Sequence, residues 1–216
     1  MIAVIGGAGA FGKGLAMRWA AAGEDVILGS RWKDKAEIAA AEMSEKTGKT
    51  IQGSTNFEAS GRANVIVLSV PFKEVKKIVH EIAPALTPGK ILVDVTVPLE
   101  LRQGSILIKR LKAGSAAEEL ARKVPKGVKV VSAFQTIAAE NLRDISTPVD
   151  CDVIICGDDD DAKRAVMKLA EEIAGARAID GGPLRNSRFL EPMVALLIEF
   201  TKRRKVKGVG IRFKGL

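Results

Sequence analysis

The chain of 216 residues has no tyrosine, one histidine, two cysteines and an aromatic content of only 4%. So few rings supply no base-stacking platform for nucleic acid. Zinc-finger cysteines, helix-turn-helix spacing and ribonucleoprotein signatures are also missing. The net charge is +8, but a basic surface suits anionic small molecules as well as nucleic acid, so no nucleic-acid partner is expected. No apolar run approaches the ~18 residues of a membrane span, so no membrane partner is expected either. The apolar start, Met1 to Ala10, has no basic n-region and runs straight into glycines. It reads as a folded strand rather than a signal peptide, and the expected compartment is the cytoplasm. Cys151 and Cys156 are oddly spaced within one strand-like run, which sends them to opposite faces. That spacing excludes a disulfide or a shared metal between them. His80 lies in an amphipathic stretch and is expected on a helix surface. With no Ser/His/Asp set and no metal-ligand cluster, the sequence nominates no catalytic acid or base and no metal site.

What is present is an ordinary globular composition, 47% hydrophobic and 28% charged. Strand-like runs alternate with helix-like runs, the pattern of a parallel sheet covered by helices. Strands are predicted at Ile2–Ile5, Asp25–Leu28, Ala63–Val70 and Lys90–Val95. The helices between them are predicted at Lys13–Ala22, Lys33–Thr47 and Lys73–Leu86. After Leu99 the rhythm changes. Helices are predicted at Ser115–Lys123 and Asp161–Ile173, and strands at Val128–Ala133 and Val153–Cys156. The apolar segment Leu190–Arg203 is predicted as a helix that docks or dimerises, so a homodimer is expected. The predicted fold is α/β: a Rossmann-type doubly wound parallel sheet, residues 1–125, with a small C-terminal α/β domain, residues 126–216.

Gly7, Gly9 and Gly12 form G-x-G-x-x-G after a predicted strand and before a predicted helix, the setting in which the motif signifies dinucleotide binding. Gly7 permits the tight turn, Gly9 lets a pyrophosphate approach the backbone, and Gly12 lets helix and strand pack closely. The pyrophosphate then meets the free N–H groups and positive end of the helix. NAD sites place a carboxylate at the end of the second strand to accept from the ribose 2′-hydroxyl. Here the segment is Gly29-Ser30-Arg31-Trp32-Lys33-Asp34-Lys35. Ser30, Arg31 and Lys35 suit a 2′-phosphate through charge-assisted hydrogen bonds, and Arg31 can also stack on adenine. The expected cofactor is therefore NADP(H).

Several segments together resemble the NADPH-dependent coenzyme F420 reductase family. They are Gly6–Gly12 with Gly14, Gly29-Ser30-Arg31 with Lys35, Val70-Pro71, Val131-Ser132-Ala133, Cys156 to Asp160, Gly181 to Arg188 and Gly208 to Phe213. The resemblance spans nearly the whole chain. It implies hydride transfer between NADP(H) and the deazaflavin F420 in a cleft between two lobes. It also implies roles for individual residues. Ala8, Gly9, Ala10 and Phe11 line the pyrophosphate, and Ser30, Arg31 and Lys35 hold the 2′-phosphate. Phe72 and Lys76 contact the nucleotide just past Val70 and Pro71. Val97 and Ala139 approach the nicotinamide, and Val209 contacts the deazaflavin. Where that family carries a histidine and, three residues on, a proline, this chain has Gln135 and Ala138. A reductase of another acceptor, a flavin or a ferric chelate, and a non-enzymatic NADP(H)-binding module are the alternatives. The acidic run Asp158–Asp161 is read as a helix cap. The cations Lys202 to Lys207 are read either as a solvated helix end or as a funnel for an anionic acceptor tail.

Overall fold

The computed structural model describes residues 1–102 and 104–216. Its first half alternates strand and helix: β1 (Ile2–Ile5), α1 (Ala10–Ala22), β2 (Val26–Ser30), α2 (Lys33–Thr47), β3 (Ile51–Thr55), α3 (Asn56–Arg62), β4 (Val65–Leu68), α4 (Phe72–Ile82) and β5 (Ile91–Asp94). A hairpin follows, β6 (Leu99–Arg102) and β7 (Ser105–Ile108). Then come α5 (Ala116–Ala121), β8 (Lys129–Ser132), α6 (Ala139–Arg143), β9 (Cys151–Gly157), α7 (Asp160–Glu171), β10 (Ala176–Asp180) and α8 (Ser187–Arg204).

Eight strands form one sheet in the order β10-β9-β8-β5-β4-β1-β2-β3. From β3 to β8 all neighbours are parallel, the order of a Rossmann sheet. β9 joins β8 antiparallel, through Val131–Gly157 and Ser132–Cys156, and β10 runs parallel to β9. The sheet therefore continues unbroken past residue 125. One face carries a core of Leu15, Trp19, Met43, Val166 and Ile173 from α1, α2, α7 and the turn after α7. The other packs Ala59, Ile78, Ile82 and Leu120 from α3, α4 and α5. Trp19 is fully buried, donates its indole N–H to the Leu169 carbonyl at 2.8 Å and meets Phe134 edge-on with centroids 5.5 Å apart. These two contacts join the first helix to the second half of the chain.

Six elements, β3, α3, β6, β7, α6 and β10, appear where none was predicted. β3 and β10 are edge strands, so neither needs a continuous apolar run. α3 begins with a capping box: the Thr55 side chain accepts from the Glu58 amide while Glu58 reaches back to the Thr55 amide. The β6–β7 hairpin stands outside the main sheet, with Leu101 and Leu107 exposed. The two cysteines are buried on opposite faces of β9, as their spacing requires. Burial pushes both thiols up to about 11. The acidic run caps α7: the Asp159 carboxylate accepts from the Ala162 amide at 2.9 Å. Asp158 accepts from the Leu184 amide, and Asp160 and Asp161 pair with Lys163 and Arg164. His80 is exposed on α4.

Candidate functional site

The carboxyl ends of β1 and β4 lie side by side, where the sheet order reverses, and a Rossmann sheet opens its crevice there. The loop after β1 closes on itself: the Gly9 amide donates to the Gly6 carbonyl at 3.0 Å. Gly6 has φ +79°, and a side chain there would overlap the Ser69 carbonyl. A methyl on Gly7 would lie 3.0 Å from the Val4 carbonyl, and one on Gly12 would lie 2.9 Å from the Gly7 Cα. Gly9 differs. Its nearest obstacle is 3.4 Å away, so the space above it is open to a ligand. Helix α1 starts at Ala10, three residues earlier than the periodicity indicated. The amides of Ala10, Phe11 and Gly12 therefore occupy its first turn, where no helical carbonyl precedes them. Ala8 is exposed at the tip of the same loop.

At the end of β2 the Ser30 hydroxyl accepts from the Trp32 amide at 3.2 Å. Arg31 and Lys35 are exposed on either side of the start of α2, and neither makes an ion pair among the described residues. Trp32 is 60% exposed beside them, an aromatic ring open to solvent next to the two cations.

A cavity of about 510 Å³ opens from the glycine loop. Gly9, Ala10 and Phe11 form one side, with Ser69 to Phe72 after β4 and Val95 to Val97 after β5. The opposite wall is Gln135 to Glu140 and Val209, and α8 covers it with Val194, Leu197, Ile198 and Thr201. The structure thus gathers Gly9, Ala10, Phe11, Val70, Pro71, Phe72, Val97, Ala139 and Val209 around one space. Gly7 and Gly12 shape the loop beneath it. Ser30, Arg31 and Lys35 lie beyond it, at the end of β2. Lys76 is elsewhere: one turn along α4, it lines a surface groove with Lys73, Lys77 and Lys123. The α8 face was missed, although Val194, Leu197, Ile198 and Thr201 show helical i, i+3, i+4, i+7 spacing.

Beneath the far wall, Phe134 takes φ +71°, a left-handed conformation costly for a bulky residue. Its ring is held by Trp19, and the turn sends Gln135 into the cavity. The Gln135 Nε2 donates to the Asp94 carbonyl at 2.9 Å and to the Ser132 hydroxyl at 2.8 Å. Its amide nitrogen is thus committed inward. Burial pushes the Asp94 carboxyl up to about 6, against the opposing pull of the Thr96 hydroxyl and amide. Among the described residues lining the cavity, Glu140 is the one ionisable side chain, and it is exposed. Such a lining suits planar, largely apolar groups.

The family described as NADP oxidoreductase, coenzyme F420-dependent, matches residues 1–98. The F420-dependent NADP reductase of Methanothermobacter thermautotrophicus is 41% identical over 221 aligned residues, covering 100% of this chain and 95% of that one. The protein of the same name from Methanocaldococcus jannaschii is 40% identical over 222 residues, covering 100% and 98%. A crystal structure of a protein from Arthrobacter sp. FB24 shares the fold, with a TM-score of 0.83, 23% identity and 98% of each chain covered. Identity at this level along the full length, together with a glycine loop that opens into a cavity closed by the C-terminal third, shows that this chain belongs to the F420-dependent NADP oxidoreductase family.

Proposed function

We propose that this chain transfers a hydride between NADP(H) and the deazaflavin coenzyme F420: NADPH, F420 and one proton give NADP⁺ and reduced F420, and the reverse. One observation carries the reading: the open Gly9 amide turn leads directly into an apolar cavity large enough for stacked rings. The relatives' printed names agree with it. The nicotinamide and the deazaflavin supply the hydride chemistry when bound. The chain's part is proximity and exclusion of water. The α1 amides hold the pyrophosphate, and Ser30, Arg31 and Lys35 hold the 2′-phosphate. Val97 and Ala139 flank the nicotinamide, and Val209 and the α8 face enclose the acceptor. Residues 1–125 serve the dinucleotide, and residues 126–216 serve the acceptor.

Steady-state assays with NADPH or NADH, and with F420, a flavin or a ferric chelate, test this. F420 with NADPH should turn over fastest. Faster reduction of a flavin or ferric chelate overturns the acceptor assignment. Arg31→Glu should lower kcat/KM for NADPH about 100-fold, by removing charge-assisted bonds and adding repulsion, and leave NADH unchanged. An unchanged NADPH preference overturns the 2′-phosphate assignment.

We place the protein in the cytoplasm as a homodimer. No helix among the described residues is long and apolar enough to cross a membrane. The face of α8 away from the cavity exposes Phe189, Leu196 and Phe200, and the hairpin exposes Leu101, an apolar surface of the kind that marks an interface. Sedimentation at micromolar concentration should give a dimer, and Leu196→Glu a monomer. The cations from Lys202 to Lys207 are placed as a funnel for an anionic acceptor tail. Neutralising them should raise the acceptor KM more at low salt than at high salt.

A further inference from the structure

Arg18 is an unexpected residue to find inside a Rossmann helix. It lies on α1, two turns beyond Phe11, and only 4% of it is exposed. No carboxylate forms an ion pair with it among the described residues. Its guanidinium instead donates to four backbone carbonyls in the other half of the chain: Leu142 at 3.2 Å, Asn141 at 2.7 Å, Asp144 at 2.6 Å and Thr147 at 2.8 Å. A buried arginine has five donors to satisfy and a high desolvation cost. Here Nε and Nη2 offset part of that cost through the carbonyls of Asn141, Leu142 and Asp144 at the end of α6 and of Thr147 beyond it. Gly14, one turn earlier on α1, makes the same contact from another side. A side chain there would overlap the Leu142 Cβ, so α1 and α6 touch at the backbone.

The residue held this way has a second attachment. Asn141 Nδ2 donates to the Gly208 carbonyl at 2.9 Å. Gly208 has φ +68° and precedes Val209, which lines the cavity. On the other side of Val209, the Asp152 amide donates to the Ile211 carbonyl at 2.7 Å, and the Phe213 amide donates to the Asp152 carboxylate at 2.7 Å. The C-terminal segment is thus pinned at both ends of a short arc, and Val209 is on the arc. Ala138 and Ala139, at the start of α6, belong to the same wall.

We propose that Arg18 and Asn141 are positioning residues: Arg18 fixes the end of α6 to the dinucleotide helix, and Asn141 then fixes Gly208, so that Val209 stands at a set distance from the dinucleotide. Neither side chain lines the cavity. α1 presents its amides to the cofactor at one end and its arginine to the acceptor wall two turns later, so one rigid helix aligns both ligands. The geometry of the arc stands by itself. Its consequence for the acceptor rests on the hydride-transfer reading above.

Two variants separate the parts. Asn141→Ala removes the link to Gly208 and leaves the arc anchored through Asp152. Arg18→Lys keeps the charge but loses the planar fork and most of the carbonyl contacts. Hydrogen exchange of residues 206–213, measured without any acceptor, should become at least tenfold faster in both variants. In turnover, both should raise the KM for F420 about tenfold, while the Kd for NADPH stays within twofold. Restoring a donor with Asn141→His should recover part of the loss. Unchanged exchange in Asn141→Ala overturns the proposal whatever the acceptor proves to be. So does a Kd for NADPH that rises as much as the KM for F420, because that pattern denotes general loosening. Failure of the wild-type protein to reduce F420 counts against the acceptor assignment and leaves the exchange result to decide the positioning role.

Discussion

Gly9 and Gly12 are three residues apart, and substitutions at the two should break different properties. A methyl on Gly12 meets the Gly7 Cα at 2.9 Å and the Gly6 carbonyl at 3.0 Å. Gly12→Ala should therefore cost about 1–3 kcal/mol of stability through overpacking. A methyl on Gly9 meets nothing closer than 3.4 Å. Gly9→Ala should melt within a few degrees of the wild type yet bind NADPH at least tenfold more weakly, because its methyl occupies the ligand's space. A thermal melt and an NADPH titration on each variant check this, and normal NADPH binding by Gly9→Ala would remove the pyrophosphate from that position. The tryptophans offer a further probe. Trp19 is fully buried and Trp32 is 60% exposed beside Arg31. NADPH should quench the exposed emission, and Trp32→Phe should abolish the change.

At the scale of elements, helix ends organise much of the molecule. The aspartates at the start of α7 could be taken for metal ligands, but their oxygens face amides and basic side chains. Asp159→Ala should cost about 1 kcal/mol, as loss of a helix cap does, and leave kcat/KM unchanged with or without a chelator. A chelator-sensitive wild-type rate would contradict the capping role. Helix α8 serves two surfaces: one face covers the cavity and the other is exposed. Its first turns are fixed to α5, where the Glu191 carboxyl accepts from the Ala116 amide at 2.8 Å and Arg188 pairs with Glu118. The cover of the cavity is therefore anchored on α5.

For the whole molecule, buried carboxyls with opposite shifts shape the dependence of stability on pH: Asp152 is lowered, while Glu191 and Asp94 are raised. Asp152 lies well below the usual carboxylate range, chiefly because Arg177 binds it bidentately at 2.7 and 2.8 Å, with the Phe213 amide and Arg212 adding to this against burial. A depressed native pKa gives stability that is lost as pH falls through the acid range. Glu191 is pushed from 4.5 up to about 8 by burial, despite the amides that face it. A raised native pKa means that the folded state holds the extra proton, so stability falls as pH rises from about 4.5 to about 8. The Tm should rise from strong acid to about pH 5 and then decline by several degrees toward pH 8. Glu191→Gln should flatten the decline above about pH 6, leaving below it the part due to Asp94, which is raised to about 6, and leaving the acid limb in place. A wild-type Tm that keeps rising between pH 5 and pH 8 would show that Glu191 is ionised in the fold.

Local chemistry determined the first half of the chain. The turn at Gly6 to Gly12, the apolar strands around it and the basic end of β2 are each contiguous in sequence, and each acts through backbone conformation or charge within a few residues. The edge strands β3 and β10 were hidden because half-exposed strands carry few apolar residues, and α3 was missed although Thr55 and Glu58 spell its cap. Tertiary structure alone decided what closes the cavity. Helical spacing gives α8 an apolar face but not the element it covers. Sequence distance conceals that Arg18 reaches carbonyls more than a hundred residues away, or that Asn141 holds Gly208. Those partners are backbone atoms, which every residue possesses, so no side-chain pattern announces them. They are chosen only when the sheet has formed and brings α1, α6 and the C-terminal segment together.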